Sequence, residues 1–146
     1  MHKIVYAYDK IRKICQAVCY WKMLSKKKFS FTYFERLHTQ GDFNQVFKNG
    51  LRLENKYIKI LVYKRNDKCS IRRLGLITPK KVGKAVIRNK TKRKLREIFR
   101  TNKYLLKSGL DLIFVSKPET ASVGYNSLKK NILGLLKSAK LFLNME

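Results

Sequence analysis

One stretch constrains this chain more than any other: residues 84–103 put two incompatible surfaces on a single helix. Ile87, Thr91, Leu95, Ile98 and Phe99 recur at three- and four-residue intervals and so share one helical face. Asn89, Lys92, Arg93, Arg96 and Arg100 fall on another, Arg88, Lys90 and Lys94 widen it, and Glu97 is the only acid in the stretch. Such a helix must press its apolar side against a second layer and leave a dense cation surface outside. The imbalance runs through the chain: 35 Lys and Arg against 9 Asp and Glu give +26 over 146 residues. Self-repulsion at that charge costs stability unless an acidic partner offsets it, and nucleic acid is the strongest candidate. With 45% hydrophobic and 12% aromatic residues, the chain still has the means to fill a core, which a disordered polycation lacks.

The rest of the chain supplies that second layer. Thr39 stands three residues before Asp42, a helix-start pattern, and Phe43, Val46 and Phe47 follow at helical spacing before Gly50. Leu51 and Leu53 suit a short strand. Residues 57–63 alternate: Ile58, Ile60 and Val62 point to a core, while Tyr57, Lys59, Leu61 and Tyr63 form a mixed aromatic and basic face. Residues 72–78 read as a further strand closed by Pro79. Leu110 to Ser116 is an apolar run of strand length, expected to be buried on both faces. From Gly124, the residues Tyr125, Leu128, Ile132, Leu135, Leu136 and Ala139 mark a last helix. The order α-β-β-β-α-β-α predicts an α+β two-layer sandwich, a mostly antiparallel sheet with helices packed on it.

Residues 1–35 read as a basic N-terminal extension, helical or disordered, ahead of a single domain over 36–146. Ile4, Ile11, Cys15, Val18 and Trp21 recur at roughly helical spacing among lysines. No signal peptide or apolar run of membrane-spanning length is written there, and Met23 is an alternative start. Cys15, Cys19 and Cys69 are too scattered for a disulfide framework and suit free thiols in a reducing, cytoplasmic setting.

Enzymatic motifs are sparse. The nine acids form no local cluster of the kind two-metal chemistry needs, although distant carboxylates can converge in a fold. His2 and His38 are the only histidines, and neither a Walker loop nor a GxGxxG is present. No metal site, catalytic residue or small-molecule substrate is expected. The chain reads as a binder with two elements. One is the cation face of residues 84–103, where compensating acids are nearly absent. The other is Phe43 and Phe47 beside Lys59, Leu61 and Tyr63: a cleft able to stack unpaired bases, or simply core packing. Periodicity alone leaves both open.

The run RLGLITPKKVGKAVIRNKTKRKLR at residues 73–96 closely resembles the signature of the bacterial ribonuclease P protein component: a glycine-bearing strand, a Lys-Lys pair, a Gly and a basic helix opening on Arg-Asn. Arg36-Leu37 followed by residues 41–50 resembles that family's first helix, and residues 110–118 its late strand ending in Lys-Pro. The resemblance covers about residues 36–143. It implies a ribonucleoprotein endonuclease that removes the 5′ leader of precursor tRNA, with the RNA subunit catalytic, the protein alone inactive, and Mg²⁺ held mainly by the RNA. It implies that Arg88, Asn89, Lys90, Lys92, Arg93 and Arg96 contact the catalytic RNA, with Lys80, Lys81 and Arg36 as neighbours. It implies that Phe43, Phe47, Lys59, Leu61 and Tyr63 hold the leader, which favours the cleft over the core reading. It also implies an uncommon left-handed crossover around the basic helix, against the usual hand. The implied partners are the catalytic RNA and precursor tRNA, and no membrane.

The chain departs from the family pattern in places. Lys90 replaces an Arg, turning a forked contact into a point charge. Pro79 replaces a small polar residue. Leu61 stands where some relatives place an aromatic, with Tyr63 two residues on as a substitute. Residues 1–30 have no counterpart. A ribosomal protein or RNA chaperone would present a similar basic surface without a leader cleft, and residues 1–22 would suit a membrane-surface or acidic-protein binder.

Overall fold

The computed structural model describes residues 30–67 and 69–143. The expectations for residues 1–29, including the helical spacing around Cys15 and the cysteine pair, lie outside them. Among the described residues no helix is long and apolar enough to cross a membrane.

Among the described residues three α-helices and four strands follow one another in the expected order: α1 (Gln40–Asn49), β1 (Leu51–Glu54), β2 (Ile58–Lys64), β3 (Arg73–Ile77), α2 (Ala85–Asn102), β4 (Leu110–Ser116) and α3 (Tyr125–Ser138). The fold is α+β. The sheet order is β1-β2-β4-β3; β1 with β2 and β2 with β4 are antiparallel, and β3 runs parallel to β4. The chain therefore leaves β3, passes through α2 and returns beside β3 as β4, so the basic helix is the crossover itself.

Local chemistry sets the boundaries. The Thr39 hydroxyl accepts from the Asp42 amide at 3.1 Å, capping α1 as its sequence predicts. A single turn at Lys80–Val82 leads into Gly83, whose φ of +147° is open only to glycine, and α2 starts two residues later. The alternation in β2 sends Ile58, Ile60 and Val62 to one side, where they meet Leu74, Leu112 and Phe114 of the sheet. Leu95, Ile98 and Phe99 of α2 and Leu128, Ile132 and Leu136 of α3 close over them. Each of these side chains removed from water contributes roughly 1.5–3 kcal/mol. Ile87 departs from its expected place: one turn before Thr91, the first buried residue of α2, it lies half out in solvent against Gly83.

The other face of the sheet carries a smaller cluster. Leu61, Ile113, Leu37 and Val46 are buried there, with Phe43, Tyr63, Ile77 and Val115 packed around them. α1 supplies the cover. β4, read as buried on both faces, is so because α2 and α3 lie on one side and α1 on the other. The packed unit also takes in residues before Arg36: Phe31 sets its ring edge on Phe99 at 5.7 Å, and Glu35 is buried against Lys103.

Candidate nucleic-acid interface

Register fixes what the second face of the sheet offers. Antiparallel and parallel partners place Leu61, Ile113 and Gly75 side by side, and Lys59, Val115 and Ile77 in the next row. α1 covers the first row. Its Phe43 ring lies on Gly75, so close that a Cβ there would stand 2.7 Å from the ring. The second row is only partly buried; Phe43 packs against the same cluster as Ile77 and Val115, and Phe47, four residues further along α1, shares its helix face. Phe47 keeps 38% of its surface exposed. The result is a groove with an apolar floor of Val115 and Ile77, an aromatic wall and a lysine, Lys59. Glu54 continues the row on β1, and the Lys117 ammonium, 2.5 Å away, holds its carboxyl below the usual range.

The residues assigned to this groove divide. Phe43 and Lys59 border it, Phe47 stands exposed on the same face of α1 as Phe43, and Tyr63, two rows from Lys59, sits beside the middle of α1, its hydroxyl accepting from Gln45 at 3.0 Å. Leu61 does not line it. Its exposure is 0%, because Leu37, Val46 and Ile113 enclose it. Alternation placed Leu61 on the correct face but could not tell that α1 lies over it, so it supports the floor and touches nothing outside. Val115 and Ile77 were not singled out from the sequence; the register that puts them beside Lys59 is their only signal.

A polar brace seats α1. Arg73 forks onto Asp111, at 2.8 and 2.6 Å, and reaches Asp42 at 3.2 and 3.3 Å. Arg65 approaches Asp111 at 3.4 Å. Burial acts against the Arg73 charge, but the Asp111 hydrogen bond and the two carboxylate charges outweigh it and raise its pKa.

On the opposite side of the sheet, α2 buries Thr91, Leu95, Ile98 and Phe99 and turns Asn89, Lys90 and Arg93 fully outward. Arg88, Lys92 and Arg96 flank them, partly exposed. Among the described residues none of these cations has an ion-pair partner. The Arg88 Nε is shielded from water with no hydrogen-bond acceptor. Two cations of the same helix are engaged within the chain: Lys94 donates to the Val123 carbonyl at 3.1 Å, and Arg100 pairs with Glu97 on the surface, lowering that carboxyl's pKa. Lys80 and Lys81 project from the turn before α2, and Arg36 lies exposed with its guanidinium 5.1 Å over the Phe31 ring. Chemically, this helix can neutralise a row of phosphates, and the groove can take flat, unpaired rings. Among the described residues no three His, Cys, Asp or Glu side chains gather.

Comparison with known proteins matches the chain to one family. The family model for ribonuclease P matches residues 31–140. The ribonuclease P protein component of Thermotoga maritima is 38% identical over 112 residues, covering 74% of this chain and 94% of the relative. That of Lachnoclostridium phytofermentans is 34% identical, covering 77% and 95%. Among solved structures, the Staphylococcus aureus ribonuclease P protein superposes with a TM-score of 0.67 at 28% identity, over 75% of this chain and 98% of that one. The Thermotoga maritima protein gives 0.64 at 36% identity, over 71% and 96%.

Proposed function

Because this chain belongs to the family of the ribonuclease P protein component, we propose that it is the protein subunit of a bacterial-type ribonuclease P. In this reading it acts in the cytoplasm, binds the catalytic RNA through α2 and receives the 5′ leader of precursor tRNA in the groove beneath α1. The observation that carries the reading is the division of labour across one sheet: an unpaired cation face on one side and a groove of aromatic and apolar residues on the other.

Each element has a stated task. Arg88, Asn89, Lys90, Lys92, Arg93 and Arg96, with Lys80, Lys81 and Arg36, meet the RNA backbone, displacing its condensed counterions. In the groove, Phe43 and Phe47 offer ring faces to unpaired bases, Val115 and Ile77 exclude water, and Lys59 meets a leader phosphate. Mg²⁺, when bound, would supply activation of the attacking water and charge neutralisation at the scissile phosphate. In this reading the RNA subunit would hold the metal, and the protein would supply positioning.

The test is cleavage of a leader-bearing precursor tRNA at low Mg²⁺ with protein, catalytic RNA, or both. Cleavage at the mature 5′ boundary is expected only with both. Phe47→Ala is expected to weaken binding of the leader-bearing precursor about five- to a hundredfold while leaving mature tRNA unaffected, since stacking contributes roughly 1–3 kcal/mol per base. Phe47 is a cleaner probe than Phe43, whose ring also packs on the smaller core cluster. RNA binding without any stimulation of cleavage would point instead to a ribosomal or chaperone role.

A further inference from the structure

Outside both surfaces, the short turn before α1 displays an aromatic stack that neither of them uses. Tyr33 is 65% exposed, and His38 lies parallel to it, ring centres 4.1 Å apart and planes within 22°. Phe34 meets the Tyr33 ring edge-on at 5.7 Å. Five residues separate the stacked pair, so a fixed turn must bring them together. His38 Nε2 donates to the Tyr33 carbonyl at 2.8 Å. The Thr32 amide donates to Glu35 at 2.7 Å, and the other Glu35 oxygen holds the buried Lys103 ammonium at 2.5 Å. The Leu37 amide donates to the Leu74 carbonyl on β3 at 3.1 Å. A stack mounted this firmly has already lost its conformational freedom, so a ligand that extends it binds without that cost.

We propose that the Tyr33–His38 stack is a docking platform for a single unpaired base of an RNA. The occupant follows from size and charge. Two or three exposed rings offer far less than the roughly 800 Å² per partner of a stable protein interface, but they match one flat heterocycle. The chain carries +26, and Arg36, between the two rings in sequence, is exposed with its guanidinium over the Phe31 ring. Every base has a stacking face, so recognition here is tolerant of sequence. The platform rests on the reading of this chain as an RNA-binding subunit, but not on the leader groove.

The experiment measures affinity of the full-length chain for the catalytic RNA, and affinity of the assembled holoenzyme for leader-bearing precursor tRNA, each across a salt series. Tyr33→Ala and His38→Ala are expected to weaken one of the two by about five- to a hundredfold with an unchanged salt slope, because a stacked base adds no phosphate contact. Tyr33→Phe and Tyr33→Trp are expected to retain binding. Whichever RNA responds identifies the source of the base. Wild-type affinity for both RNAs in the alanine variants, with Arg93→Ala still impaired, would overturn the platform and leave the subunit reading standing. Failure of the wild-type chain to bind either RNA would overturn both.

Discussion

Arg73 and Gly75 lie two apart on β3, face α1, and fix its position by opposite means. Gly75 offers absence: without a Cβ the Phe43 ring can settle on the strand backbone. Arg73 offers a bridge from the sheet to the helix, and beneath it Asp111 is only 2% exposed. Removing the guanidinium would leave that carboxylate buried with Arg65 alone beside it at 3.4 Å. A buried charge stripped of its main partner costs about 3 kcal/mol. Arg73→Met, which keeps the stem, is therefore expected to lower unfolding stability by about that amount in urea, with amide exchange rising first in α1. A loss within 0.5 kcal/mol would mean that α1 is held by Val46 and Phe43 packing alone. The size of the loss thus distinguishes a brace from an ornament on an apolar contact.

At the scale of elements, α2 is where sequence and structure agree best and where charge can be tested most directly. Arg93 is outward and unpaired, whereas Lys94 beside it is tied to the Val123 carbonyl. Arg93→Ala is expected to weaken binding to the catalytic RNA and to reduce the slope of log affinity against log salt by about one phosphate contact, roughly 0.7–0.9. Lys94→Ala is expected to leave the slope unchanged. Equal slopes for wild type and Arg93→Ala would remove Arg93 from the interface. The same helix explains what could be read in advance. Period 3.6 and period 2 patterns reveal which way a side chain points, so α2, β2 and the order of elements were legible. They do not reveal what lies over a face, so Leu61 was assigned to the groove although α1 buries it. Nor do they reveal pairing across long separations. The parallel seat of β3 beside β4 puts Ile77 and Val115 into the groove. The Glu35–Lys103 pair hides two charges whose identity alone would have placed them in water. The Tyr33–His38 stack depends on that pair, and no spacing rule marks it.

Over the whole molecule the acids are few, and those among the described residues are almost fully engaged within the fold. Glu35, Asp42, Glu54, Asp67, Glu97 and Asp111, six of the nine, each pair with a Lys or Arg. What remains is a large excess of cations with no internal counter-charge, and their mutual repulsion opposes the compact state. Added salt acts on this balance in two directions. It weakens exposed pairs such as Glu54–Lys117, which contribute little, and it screens the repulsion, which acts over the whole surface. The buried pairs of Asp111 and Glu35 are screened much less. The second effect is therefore expected to win, and the melting temperature of the protein alone should rise between 50 and 300 mM KCl. A polyanion that binds only the folded face should do more at low salt. At a hundredfold excess over its dissociation constant it adds about 2.7 kcal/mol, or about 10 °C for a domain of this size. Inorganic polyphosphate is a suitable probe because it carries charge without bases, and its stabilisation should collapse as KCl increases. A melting temperature that falls with salt, and does not respond to polyphosphate, would mean that the excess cations are compensated within the fold. The need for an RNA partner would then rest on family membership alone.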